Sequence, residues 1–368
     1  MLQSLAHAFL GLCLAFGVAA CEAGSGADTD ATPPDAAADT VLPTAVSLGN
    51  VLLLAAASHA GWAVLAHAPM NTSEAPGQLV WLNNAGKAVG APQALAGRPT
   101  TLATDGEQAI ACWDRGGAVT CQCHARGGQA SRLTFEVAGS KPSLVFGNET
   151  YLLVYVGIDK QVRLQRVAAA CEPVGETAVL HQAFLEQYGY QIPVISTMGG
   201  WLVAAGDPVH LHRLGPDFTA LQAPVDLKMP PWFYGSLAAV DDDFMVYLAK
   251  PYGGQIFLVQ GAKVTEGSEI TAGGKQGADV LLATEGRHAL AVWNSGGSLQ
   301  QHEMGAVAAT MFAAGDATTP KPLGMQMEDW SRYALVKIGD QQRLAARVEG
   351  ELKLFNLHGF EPSHLGER

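Results

Sequence analysis

The chain has 368 residues, of which 42 are Gly, 15% are charged and 48% are apolar, with a formal net charge of −12. Soluble domains typically carry about 25% charged residues and about 7% Gly; this sequence is Gly-rich and charge-poor yet apolar enough to fold, which excludes global disorder and a heptad-built coiled coil. The acidic balance argues against nucleic acid as a partner, because a phosphate backbone selects surfaces rich in Lys and Arg.

Residues Ala8 to Ala20 form an apolar run that is too short to span a bilayer as a helix. It ends in Val18-Ala19-Ala20-Cys21. This ending resembles the lipobox of bacterial lipoprotein signal peptides, an aliphatic residue and two small residues before Cys. The resemblance implies that residues 1–20 are removed and that Cys21 becomes the lipidated first residue of the mature chain. One departure is that the leading segment Met1 to His7 holds no Lys or Arg, where export signals carry positive charge. The alternative is an ordinary secretory signal with an incidental Cys. Residues 21–45 follow as a stretch of mostly Ala, Asp, Thr, Gly and Pro, charged only by Glu22, Asp28, Asp30, Asp35 and Asp39. With so little apolar bulk it cannot offset the entropy of ordering, and it reads as a flexible acidic tether. Without the tether, 29 acids stand against 22 bases, so the body is only mildly acidic.

Residues 46–357 carry an internal repeat. Ala109 to Val119 matches Ala289 to Leu299, and both copies read as a strand, a Gly-Gly turn and a second strand. The same apolar stretch recurs as Trp62 to Leu65, Gln108 to Ala111, Tyr151 to Val154, Trp201 to Ala204, Phe244 to Tyr247, His288 to Ala291 and Tyr333 to Val336. Successive spacings are 46, 43, 50, 43, 44 and 45 residues. A Pro precedes an apolar strand at Pro99, Pro142, Pro193 and Pro322, where a strand start needs no ladder donor. Seven units of about 44 residues, each with room for four short strands, resemble a seven-bladed β-propeller. The resemblance covers residues 46–357, leaving 358–368 as a C-terminal tail, and no Trp-Asp, kelch or RTX signature assigns a subfamily. The expected fold class is all-β.

The resemblance places an inner strand of each unit along a central channel. These strands read Leu52 to Ala55, Thr101 to Thr104, Ser143 to Phe146, Val194 to Thr197, Ser236 to Ala239, Val280 to Ala283 and Leu323 to Gln326. They offer small and apolar side chains with a few hydroxyls, and no acid pair, His cluster or general base. Tyr188, Tyr190, Trp232, Phe233, Tyr234 and Tyr252 fall in connections that the fold gathers on one face. Clustered Trp and Tyr suit glycan or protein recognition; the competing reading is an aromatic lid packed over the channel mouth. Arg98, Lys141 and Lys321 each precede a strand-start Pro and form a candidate anion rim, or else solvated loop ends.

Four Cys remain beyond the signal and Cys21: Cys112, Cys121, Cys123 and Cys171. A two-residue turn at Gly116-Gly117 sets Cys112 opposite Cys121. The preferred pairing is Cys112 with Cys121 and Cys123 with Cys171, one of three that four Cys allow. Asp241-Asp242-Asp243 lacks the alternating ligand spacing of a Ca²⁺ loop, and His210 and His212 share a strand face without a visible third ligand. No nucleophile elbow, Walker loop, dinucleotide fingerprint or His-Glu-x-x-His motif occurs. No catalytic residue, metal or cofactor is therefore expected. The sequence points to a monomeric body tethered to the extracytoplasmic side of a membrane through Cys21, acting as a binding or scaffold module for an envelope protein or glycan. The alternatives are a propeller hydrolase or lyase with a loop-built site, and a secreted soluble form.

Overall fold

Alternation of apolar and small residues between frequent Gly turns produces strands throughout, and every regular element among the described residues is a β-strand. The computed structural model describes residues 40–41, 51–69, 75–128, 130–181, 191–229, 235–240, 243–250, 253–270, 280–285, 288–294, 304–313, 316–317, 321–328, 333–348 and 351–357.

In chain order, β1 (Thr40–Val41) precedes a four-stranded meander of β2 (Val51–His59), β3 (Trp62–Pro69), β4 (Gln78–Leu82) and β5 (Ala88–Ala94). A seven-stranded sheet follows, made of β6 (Thr101–Thr104), β7 (Gln108–Arg115), β8 (Ala118–Ala125), β9 (Ala130–Gly147), β10 (Thr150–Gly157), β11 (Val162–Val167) and β12 (Pro173–His181). Two further four-stranded meanders are β13 (Val194–Thr197), β14 (Gly200–Ala205), β15 (His210–Leu214) and β16 (Val225–Asp226), and then β17 (Gly235–Val240), β18 (Asp243–Lys250), β19 (Gly253–Gln260) and β20 (Lys263–Ile270). The next sheet holds β21 (Leu281–Glu285), β22 (His288–Asn294), β23 (Met304–Ala313), β24 (Asp316–Ala317) and β25 (Lys321–Glu328). The last comprises β26 (Tyr333–Ile338), β27 (Gln341–Val348) and β28 (Glu351–Asn356), with β1 paired to β28 through Thr40 and Leu354. The N-terminal strand thus completes the C-terminal sheet, from within the stretch that composition assigns to the tether.

All seven recurring apolar stretches lie in strands: β3, β7, β10, β14, β18, β22 and β26. Successive sheets pack face to face, which is a β-propeller arrangement. Leu54, Val64 and Trp81 pack on Leu102 and Ala109. At the other side of the same meander, Leu53 and Leu65 pack on Val336 and Leu354. The seven-stranded sheet folds on itself: Ile110, Cys112 and Cys121 of one half meet Tyr151, Leu153 and Val167 of the other. Its fold line lies in β9, which pairs with β8 up to Ala138 and with β10 from Gly139 onward. A side chain at Gly139 would place its Cβ 2.5 Å from the Val156 carbonyl oxygen, so only Gly lets the strand cross there.

The Gly116-Gly117 hairpin forms as read, with φ of 63° and 86° at the two glycines and Cys112 facing Cys121 across the ladder. Both expected disulfides are present, Cys112–Cys121 and Cys123–Cys171. The second joins the two halves of the folded sheet.

Two local expectations are corrected. The second hairpin copy does not keep the register of the first, since Asn294 pairs with Val307; Gly296 and Gly297 themselves lie outside the described residues. Leu323 to Gln326 does not line the channel; it lies in β25, paired with β23 on the side away from β22. Its sequence, Lys-Pro-Leu-Gly-Met-Gln-Met-Glu, alternates apolar with polar or small residues, the pattern of a strand covered on one face. Tyr333 to Val336 takes the inner position instead.

Candidate functional site

The inner strands converge on a cavity of about 700 Å³. Residues of β2, β6, β9, β13, β17, β21 and β26 all contribute to its wall, mostly from the N-terminal ends of those strands. The throat is apolar, with Leu53, Leu102, Leu144, Ile195, Leu237 and Leu282. Polar groups collect toward the mouth: Thr100, Asp114, Lys141, Gln191 and Tyr333.

The hydroxyls seen in the inner-strand sequences have a structural use. Thr101 Oγ1 accepts the Leu144 N–H at 2.9 Å, Ser143 Oγ accepts the Ile192 N–H at 2.9 Å, and Ser236 Oγ accepts the Leu282 N–H at 2.9 Å. These partners are 43, 49 and 46 residues apart, one repeat unit each time. Each hydroxyl therefore ties one inner strand to the next, or to the segment that leads into it, around the channel. Thr101→Val is expected to cost about 1–3 kcal/mol by leaving the buried Leu144 N–H unpaired. Urea denaturation checks this, and a loss near zero would show that the tie contributes nothing.

The mouth is fixed by similar contacts. Asp114 Oδ2 accepts the Lys141 N–H at 2.9 Å, and the Gln191 amide donates to the Thr100 carbonyl. Lys141 sits at φ 53°, where β9 turns from one half-sheet to the other. Of the candidate anion rim, Lys141 lines the cavity and Arg98 lies in the connection leading to β6. Lys321 opens β25, opposite Ala309 on an outer strand, so the three cations do not share one ring of inner-strand ends.

Tyr188, Tyr190, Trp232, Phe233, Tyr234 and Tyr252 lie outside the described residues, as do Cys21, Asp241 and Asp242. Asp243 opens β18 and its Oδ2 accepts a hydrogen bond from Gln260 at 2.7 Å. The His210 and His212 rings are 6.3 Å apart. Among the described residues no group of three His, Cys, Asp or Glu side chains is placed to hold a metal ion. No helix among them is long and apolar enough to cross a membrane. Two disulfides mark the chain as a protein of an oxidising compartment.

Sequence reasoning missed Thr100, Asp114 and Gln191 as mouth residues. Asp114 carried a signal, since it follows Trp113 at the end of the repeated hairpin strand. Gln191 carried one only through its place two residues before Pro193.

No protein-family model and no curated protein matches the chain. Among solved structures, it is similar to the β-propeller domain of Cps50 (Swd1) from Myceliophteria thermophila, at 11% identity and a TM-score of 0.54, over 87% of this chain and 100% of that one. It is also similar to hydrazine synthase of Kuenenia stuttgartiensis, at 10% identity and a TM-score of 0.56, over 85% and 97% of the two chains. The Dos1 propeller matches at 8% identity and a TM-score of 0.52, over 83% and 78%. At such identities the likeness is one of fold, and that fold is the all-β propeller.

Proposed function

We propose that this chain is a lipid-anchored extracytoplasmic propeller of seven blades that binds a protein or glycan of the cell envelope at the mouth formed by the N-terminal ends of its inner strands. The observation that carries the reading is the adjacency of mouth and aromatic segments. Gln191 follows Tyr190, Gly235 follows Tyr234, and both Gln191 and Gly235 line the cavity. Tyr252 lies between Lys250 and Gly253, which pair at the end of the β18–β19 ladder. Aromatic segments adjoining the lining of an apolar throat in sequence suit recognition, since Trp and Tyr supply rigid area with a polar tip. The engagement of Thr101, Ser143 and Ser236 in ties between strands favours binding over catalysis in the throat.

Seven blades are supported by the seven inner strands around one cavity and by the folding of the seven-stranded sheet into two packed halves. The anchor is supported by the lipobox-like Val18-Ala19-Ala20-Cys21 and the acidic stretch behind it. In capture from envelope extracts, Trp232→Ala with Tyr234→Ala is expected to reduce the recovered partner by about tenfold or more, as loss of aromatic anchors does. The melting temperature should be preserved.

A further inference from the structure

A second pocket lies at the other end of β2, where the turns after β2, β4 and β26 meet. It encloses about 820 Å³, within the roughly 300–1,000 Å³ of small-molecule sites. We infer that this pocket is a saccharide-binding site, built on Trp62, His59, Asn84, Lys337 and Asp340 and separate from the mouth described above.

Rigidity is the first argument. A Cβ on Gly61 would stand 3.9 Å from the Asn84 Cβ and 4.0 Å from the Gly339 Cα, and one on Gly339 would stand 3.5 Å from the Asn84 carbonyl oxygen. The three turns thus approach one another to within about the width of a methyl group and together form the floor of the pocket. Asn83 Oδ1 accepts the Ala85 and Lys87 N–H groups at 3.0 Å each, which holds the second turn. The Lys337 N–H donates to Ser58 Oγ at 2.8 Å and ties the last sheet to β2.

The aromatic groups are held in place as well. The Arg126 guanidinium lies 3.9 Å from the centroid of the Trp62 ring. That guanidinium donates to Glu107 Oε1 and to the Gly106 carbonyl, both at 2.6 Å. A cation anchored at two points therefore clamps the indole. The His59 ring meets Phe146 edge-on, with centroids 4.8 Å apart. Binding at such a pre-ordered surface loses little side-chain entropy.

The chemistry selects the ligand class. An indole offers a flat apolar surface to ring C–H groups. The Asn84 primary amide donates to and accepts from hydroxyls, and the Asp340 carboxylate accepts from them. The fixed charges, Lys337 and Asp340, are opposite in sign, so the pocket has no net attraction for a phosphate or a metal cation. A neutral polyhydroxylated ring matches this mixture better than any ion does.

The test is calorimetric titration of the purified protein with maltotriose, with triacetylchitotriose and with inorganic phosphate. The inference predicts that at least one trisaccharide binds. Its affinity should fall about tenfold or more in Trp62→Ala and in Asn84→Ala with Asp340→Ala, and remain unchanged in Trp232→Ala with Tyr234→Ala. The Asn84 and Asp340 side chains stand on exposed turns, so the second variant keeps the test valid where Trp62→Ala unfolds. Binding of neither trisaccharide overturns the inference, as does saccharide binding that both pocket variants leave intact, or phosphate binding that Lys337→Ala abolishes. Loss of saccharide binding only in the Trp232 and Tyr234 variant would move the site to the mouth and equally overturn it.

Discussion

Replacing Cys123 and Cys171 together by Ala is expected to lower the unfolding free energy by about 4 kcal/mol. The bond spans 48 residues and joins the two halves of the seven-stranded sheet, so its loss releases a long loop in the unfolded chain. Both sulfurs are buried in the core between those halves, and truncation there adds a cavity term to the entropic one. The Cys112–Cys121 bond spans only 9 residues, inside a hairpin already fixed by its Gly116-Gly117 turn. Its removal is expected to cost less, about 2–3 kcal/mol by the same loop-closure relation. Urea denaturation of the two double variants ranks them. Equal losses, or a larger loss from the hairpin pair, would show that the long bond does not brace the folded sheet.

The second large effect is a loss of stability in mild acid. His67 and His124 are buried at 2% and 0% exposure. Burial in apolar surroundings disfavours the imidazolium and lowers each from its ordinary 6.5 to about 4. His124 Nδ1 lies 3.0 Å from Gln93 Oε1, whereas neither ring nitrogen of His67 has a hydrogen-bond partner among the described residues. In the unfolded chain both rings take up protons once the pH drops below 6.5, and in the folded chain they do so only near 4. The stabilisation is therefore complete above pH 6.5 and is lost as the pH falls from 6.5 through 4. The loss amounts to about 3 kcal/mol for each ring at the low end of that window. His67→Phe keeps an aromatic ring in the same space and removes one titration, so it should remove about half of the slope. Denaturation curves at pH 7 and pH 4.5 measure the effect. A slope unchanged by His67→Phe would exclude His67 as its source.

Much of the architecture is legible because it is repetitive. Each stretch such as Trp201 to Ala204 is buried from both sides between neighbouring sheets, so its apolar character recurs wherever the unit recurs. The Gly116-Gly117 turn fixes the register of its hairpin locally, which is why the facing of Cys112 and Cys121 follows from the sequence. Features decided by distant partners are not legible in that way. Thr40 and Val41 join a sheet completed more than three hundred residues later, and nothing in their own neighbourhood signals it. The inner place of Tyr333 to Val336 depends on contact with β2, to which the Lys337 N–H is tied through Ser58. The second hairpin copy misleads because its register is set by the pairing of β22 with a strand that begins further on, where Asn294 faces Val307. At the candidate site, the aromatic residues and Lys141 are visible as residue types. The mouth itself is not, since Gln191 reaches Thr100 and Lys141 reaches Asp114 across segments that are distant in sequence.

Binding of a partner at the proposed mouth site beside Gln191 and Gly235 is tested most directly by comparing capture from envelope extracts by three forms: the wild-type protein, Trp232→Ala with Tyr234→Ala, and Met198→Ala. Met198 is a fully exposed control in the turn between β13 and β14. The expected result is a partner retained by the wild type and by Met198→Ala and lost from the double variant, with all three forms melting alike. Equal recovery of that partner from the double variant would contradict it.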